Sequence, residues 1–173
     1  MAKLQIGLLV CCVIWFSSVS AASQRTELAE LCLALAGQWQ GDAAQPDGDV
    51  SETHIQGLCS ADRQQLMLFV TSSGMAKLSQ SWWFRQQGDE VLLTFYSGID
   101  EDKQQRFSLY QHNGNYTLLG EGQRLSRPAL IQLRFDKHQH GWLWRQSVMY
   151  LDDDSDQYQL FRGIDMTKMA QPK

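Results

Sequence analysis

The side chains best suited to chemistry lie in two short clusters near the C-terminus. The run Asp152–Asp156 holds four carboxylates, which are ligands that Ca²⁺ prefers, but the sixth and twelfth positions of such a loop are Gln157 and Gly163 instead of Gly and Glu. We therefore interpret the run as a solvated turn. His138 and His140 can share a strand face, yet no cysteine or carboxylate stands at the spacing of a zinc site.

Motifs of nucleophilic and redox catalysis are absent from the sequence. It has no Gly-x-Ser-x-Gly elbow, and its cysteines are not spaced as a Cys-x-x-Cys pair. We therefore expect no catalytic residue, no metal and no cofactor. A haem bound through one of the four histidines is an alternative that no second residue supports.

The N-terminus has the three parts of a cleavable signal peptide. Lys3 supplies the basic start, residues 6–16 are an uninterrupted apolar run of eleven, and small residues follow up to Ala21. The run is too short for a membrane helix, which needs about 20 apolar residues. We predict that residues 1–21 are removed and that the protein is exported to the periplasm or the extracellular space, with no membrane span left.

The cysteines fit this prediction. Cys11 and Cys12 lie in the leader, where lipoprotein cleavage is a weaker alternative, and Cys32 and Cys59 lie beyond it. Disulfides persist in oxidising compartments, so we expect Cys32 and Cys59 to be bonded. Two buried free thiols are the alternative.

Length and charge restrict the function further. Residues 22–173 have the size of a single domain, whose last eight or so residues we expect to be frayed. Removal of Lys3 leaves 14 basic against 19 acidic residues, a net charge of −5, with no basic cluster. Nucleic acid is therefore not an expected partner, and binding to an anionic membrane surface is disfavoured. No protein partner is indicated.

Hydrophobic periodicity predicts one short helix followed by strands. Between Thr26, a candidate N-cap, and Gly37, apolar residues recur at helical spacing. After Gly37 the period becomes two, as in the alternation of 131–136. Strands are predicted around 38–43, 50–56, 65–72, 77–86, 91–96, 106–110, 115–122, 131–136, 142–151 and 157–163. About nine or ten strands joined by short turns predict an all-β antiparallel meander, which we expect to close into a barrel.

The segment Leu35–Gly41 enters the first of these strands as Gly37-Gln38-Trp39. It resembles the Gly-x-Trp signature of the lipocalins and their calycin relatives. The resemblance implies a barrel in which an arginine of the last strand, here Arg162, lies across the Trp39 ring and helps to close the floor. Such a contact is a cation–π interaction. The alternative is that Trp39 is an ordinary core residue of another β fold.

Aromatic residues at period two provide the candidates for a ligand pocket. If their strand faces point inward, four of them would line an aromatic cavity: Trp82, Phe84, Trp142 and Trp144. Four further residues could place polar groups at its mouth: Tyr96, Tyr110, Arg106 and Arg145. The first hypothesis is therefore an exported protein that binds or carries a small hydrophobic ligand. A structural or interaction module with a filled core is the alternative, and an isomerase or hydrolase on the same barrel is less favoured.

Overall fold

A computed structural model describes residues 23–46, 48, 50–73, 79–99 and 101–170. The predicted signal peptide, residues 1–21, lies outside them. Within these ranges, no helix has the length and apolar character needed to cross a membrane.

The described chain is a closed antiparallel β-barrel of ten strands, which confirms the predicted fold class. Its strands are β2 (Gly37–Ala44), β3 (Ser51–Cys59), β4 (Gln65–Ser72), β5 (Ser79–Gln87), β6 (Glu90–Tyr96), β7 (Lys103–His112), β8 (Asn115–Arg124), β9 (Arg127–His138), β10 (Gly141–Tyr150) and β11 (Gln159–Lys168). Each strand pairs with its neighbour in the chain, and β11 pairs with β2 to close the barrel. A further short strand, β1 (Gln24–Arg25), pairs with β7 outside the barrel.

Alternation of apolar and polar residues decides which side chains enter the barrel. On β9, Ala129, Ile131, Leu133 and Phe135 are buried, while the residues between them are partly exposed. Successive strand residues point to opposite faces, so one apolar set from each strand meets the others inside.

A short helix, α1 (Leu28–Leu35), packs against β3, β4 and β5 and covers one end of the barrel. Its predicted apolar stripe is buried: Leu28, Leu31, Cys32 and Leu35. The predicted N-cap, Thr26, was wrong by one residue, since Glu27 occupies that position without a capping side chain. Instead, the Leu28 N–H donates to Oε1 of Gln86 on β5 at 2.7 Å, so a barrel side chain satisfies one of the free N–H groups at the helix start.

The helix is fixed to the barrel at its other end as well. The predicted disulfide is present between Cys32 on α1 and Cys59 at the end of β3. Trp39 Nε1 donates to the Leu35 carbonyl at 3.0 Å, which satisfies one of the free carbonyls at the helix end. Gly57 leaves space for the same carbonyl, which a Cβ atom at that position would strike. We call this the closed end of the barrel.

The C-terminal boundary differs from the prediction. The last strand covers 159–168, not 157–163, and Lys168 pairs with Trp39. The Met169 N–H donates to the Gln38 carbonyl at 2.9 Å. Residues 166–169, which we expected to be frayed, thus pair with the first barrel strand, and residues 171–173 lie outside the described part.

Candidate functional site

A cavity of about 480 Å³ occupies the half of the barrel opposite α1. Its apolar wall includes Trp82, Leu93, Phe95, Leu133, Trp144 and Phe161. Ile99, after β6, and Leu125, in the turn between β8 and β9, line the mouth and are 71% and 73% exposed. We call the half of the barrel that contains this cavity the open end. The volume lies within the 300–1,000 Å³ typical of small-molecule pockets.

The half of the barrel nearer α1 is filled by its own side chains. Phe84 is fully buried there, and Trp142 packs against Tyr116 with ring centroids 5.8 Å apart. Neither Phe84 nor Trp142 lines the cavity, so their prediction as pocket residues was wrong. The barrel therefore combines a packed core near α1 with a cavity at the open end. Neither of the two alternatives from the sequence, a hollow pocket or a filled core, describes the whole interior.

Two of the predicted pocket residues line the cavity. Trp82 and Trp144 contact each other with ring centroids 4.4 Å apart. The Nε1–H of Trp144, which is 2% exposed, has no hydrogen-bond partner in the described part of the protein. These two indoles mark the boundary between the filled and hollow halves.

The four residues predicted for the mouth lie on the outer face of the barrel, so this prediction was wrong. Tyr96 is 49% exposed, because its neighbour Phe95 takes the inward position. Tyr110 follows the buried Leu109 and therefore points outward. Arg106 faces Glu90 at 3.6 Å, and Arg145 pairs with a carboxylate of β9.

Arg162 lies inside the cavity, and a β-bulge explains how β11 supplies two adjacent side chains to it. Gln146 on β10 pairs with Arg162, whereas the next residue, Ser147, pairs with Leu160, so Phe161 is the extra residue. Bulges re-aim side chains in this way. Phe161 and Arg162 both line the cavity as a result.

The guanidinium of Arg162 is surrounded by aromatic rings. Its Cζ lies 5.3 Å from the ring centroids of Phe95 and Trp144 and 5.7 Å from those of Trp82 and Phe161. Its Nε–H donates to Oε1 of Gln146 at 2.8 Å, and no carboxylate of the described residues pairs with it. Burial, and to a lesser extent the nearby cation of Arg124, lower the pKa of Arg162 to about 10. The group therefore remains charged at neutral pH.

This position corrects the predicted barrel-closing pair. The cation over Trp39 is Lys168, with Nζ 5.5 Å from the ring centroid. Lys168 lies directly opposite Trp39 in the pairing of β11 with β2, whereas Arg162 lies six residues earlier on β11, in the open half. A cation of the last strand does face the tryptophan at the closed end, but it is a different residue.

The charged side chains of the cavity wall are all basic among the described residues: Lys103, Arg124 and Arg162. Arg124 stacks on Phe161 with Cζ 3.9 Å from the ring centroid. No aspartate, glutamate, histidine or cysteine of the described chain lines the cavity. The wall is therefore cationic and aromatic, although the whole chain carries a net charge of −4.

The pairing of β7 with β8 covers only part of the two strands and stops beside the cavity. These strands pair only from Ser108–Leu119 to His112–Asn115. Beyond that point, the Gln105 side chain reaches across and donates from Nε2 to the Glu121 carbonyl at 3.4 Å. Lys103, Gln105 and Gln123 line both the cavity and a depression on the outer side of the barrel.

The two clusters with which the sequence analysis began have local partners. Arg127 donates to the carboxylates of Asp152, at 3.0 Å from Nε, and of Asp153, at 2.9 Å. Nε2 of His138 lies 3.0 Å from a carboxylate oxygen of Asp165. Among the described residues, no group of three or more His, Cys, Asp and Glu side chains is placed to hold a metal ion.

Comparison with known proteins gives no further assignment. No protein-family model matches the chain, and a search of curated proteins finds no match.

Proposed function

We propose that this protein is an exported binding or carrier protein for a small hydrophobic molecule, which it holds in the cavity at the open end. The observation that supports the proposal is the cavity of about 480 Å³ above the Trp82–Trp144 contact. A barrel serving only as a structural module has no need to leave this half hollow, since packed cores are more stable than cavities. The disulfide fits an oxidising compartment.

The lining supports binding better than catalysis. General acid–base and nucleophilic chemistry mostly uses histidine, carboxylate, cysteine or activated serine side chains. The described wall offers bulky apolar residues, glutamines, three basic groups and one serine, Ser97, with no histidine or carboxylate of the described wall to activate it. A lipocalin-like relationship, proposed from Gly37 and Trp39, is compatible with a barrel closed at one end and open at the other.

Binding of the neutral apolar fluorophore N-phenyl-1-naphthylamine tests the proposal. Its fluorescence should rise on binding, and quenching of Trp82 and Trp144 should accompany it. Leu93→Trp places a large side chain into the cavity and should weaken binding on the order of tenfold or more. Leu58→Trp is the matched control, because Leu58 is 50% exposed on the outer face of β3 and does not line the cavity.

Mass spectrometry of small molecules extracted from the native protein gives the second measurement. An apolar molecule that the Leu93→Trp variant retains less well than the Leu58→Trp variant would support the proposal. The proposal fails if the fluorophore does not bind or if both variants bind it equally well.

A further inference from the structure

Burial of the charged Arg162 guanidinium in the cavity lowers the stability of the protein unless an anion pairs with it. A charged group taken from water loses hydration, and a partner of opposite charge is the usual compensation. Here the guanidinium has four aromatic rings and one glutamine oxygen around it, but no carboxylate among the described residues. Its Nε–H is used by Gln146, so the two terminal nitrogens remain to bind a ligand.

The surroundings favour one kind of charge. Arg124 and Lys103 add to the positive potential, and the described wall has no acidic residue to offset them. These cations favour an acceptor with negative charge, and they oppose a cationic ligand.

The same cavity requires that the rest of the ligand be apolar. The guanidinium lies among Trp82, Phe95, Trp144 and Phe161, so a molecule that reaches it contacts these rings. A polyanion such as a nucleic acid has no apolar body to place there, and the net negative charge of the chain opposes it.

We infer that the ligand is an amphiphile with an apolar body and a single ionised acid group that binds to Arg162, with Gln146 holding the guanidinium in position. This inference rests on the proposed function and names the class of ligand. The planar guanidinium presents paired N–H donors that match a carboxylate. Gln146 is thus a positioning residue, while Arg162 contacts the ligand.

Two probes of equal chain length separate the charge from the apolar body. We would titrate the purified protein with decanoate and with decan-1-ol at pH 8, where a carboxylic acid is ionised, using isothermal calorimetry. Decanoate should bind on the order of tenfold more tightly, because a hydrogen bond to a charged group contributes more than one between neutral groups. Decylamine, a cation of the same length, should bind more weakly than either.

Two Arg162 variants and a matched control attribute the preference to its side chain. Arg162→Gln should weaken decanoate binding on the order of 10- to 100-fold and change decan-1-ol binding by less than about threefold. Arg106→Gln removes the same charge from the outer face and should leave both affinities within about twofold. Arg162→Lys keeps the charge without the planar pair of donors. Its affinity for decanoate should therefore lie between those of the wild type and of Arg162→Gln.

The outcomes separate failure of this inference from failure of the proposed function. If decanoate and decan-1-ol bind equally, or if Arg162→Gln weakens both alike, the inference is wrong although the cavity still binds apolar molecules. Decylamine binding as tightly as decanoate would also refute it. If neither decanoate nor decan-1-ol nor N-phenyl-1-naphthylamine binds, the proposed function fails as well. Should Arg162→Gln not fold, the Arg162→Lys variant gives the same comparison.

Discussion

Replacing Arg162 by methionine should stabilise the ligand-free protein. Lowering the pKa of a guanidinium from its ordinary value to about 10 corresponds to about 3 kcal/mol against the charged form at neutral pH. Ring contacts at 5.3–5.7 Å favour the cation and offset roughly half of this cost. A net penalty of about 1–2 kcal/mol remains. Methionine removes the charge and keeps an unbranched apolar stem in the aromatic pocket.

The measurement is urea unfolding at pH 7, followed by far-UV circular dichroism because the substitution lies beside two tryptophans. The free energy of unfolding should rise by about 1–2 kcal/mol, which corresponds to roughly 3–6 °C in Tm. Arg106→Met, on the outer face, is the control and should change stability by less than about 0.5 kcal/mol.

The pH dependence follows from the direction of the pKa shift. Between the folded pKa of about 10 and the higher unfolded value, the unfolded chain binds more protons, so the stability contributed by this group rises with pH. The penalty is therefore present in full below pH 10 and disappears above it. The advantage of Arg162→Met should be constant from pH 6 to 9 and shrink above pH 10. A variant less stable than the wild type by more than about 1 kcal/mol at pH 7 would refute this reasoning.

Three further tests concern the closed end, and each is measured by urea unfolding. Trp39→Ala should cost about 3–5 kcal/mol and Lys168→Met less than about 1, with a double-mutant coupling of about 0.5–1 kcal/mol; additivity would argue against the ring contact. Joint replacement of Cys32 and Cys59 by serine should cost about 3 kcal/mol, and reducing the wild type should reproduce the loss; equal stability would refute a role for the bond. Gly57→Ala should cost about 1–3 kcal/mol because its methyl group meets the end of α1, and an unchanged midpoint would contradict that packing.

The barrel could be predicted from the sequence because period-two alternation survives in most strands. On β9, the alternation in 131–136 correctly separates buried from partly exposed residues. The helix stripe and the disulfide were also predictable, because both depend on local spacing and on the number of cysteines outside the predicted leader. These patterns do not show how far along the barrel axis an inward side chain lies. Phe84 and Trp142 point inward as expected, yet they fill the closed half.

The candidates for the mouth were wrong by one residue, and the alternation could have shown it. Phe107 and Leu109 are the apolar residues of β7, so Arg106 and Tyr110 must lie on the other face. By the same reasoning Trp144 excludes Arg145 and favours Gln146. These residues were chosen for their charge and aromatic character, and the alternation of inward and outward positions along each strand was not taken into account. The residues that take the inward positions beside Arg106 and Arg145 are glutamines, Gln105 and Gln146, which attract less attention in a sequence.

The role of Arg162 could not be read from the sequence for a different reason. A β-bulge at Phe161 brings two consecutive residues to one face. The residue types of this segment do not predict the bulge. The strand was also expected to end at Gly163, which placed Arg162 near the closed end of the barrel. Because the strand continues to Lys168, that lysine meets Trp39 instead.

The lower stability of the ligand-free protein and the binding of an anionic ligand have the same cause, the unpaired charge of Arg162. The two effects must therefore be linked. If the unpaired cation lowers the stability of the ligand-free barrel, an anion that pairs with it should recover that loss in addition to its contacts with the rings. A ligand that binds only the folded state adds RT ln(1 + [L]/Kd) to the free energy of unfolding. Saturating decanoate should therefore raise the stability of the wild type well above that of Arg162→Met, although without ligand the order is reversed. A residue kept only for packing would not produce this reversal, because decanoate would then stabilise both proteins by similar amounts.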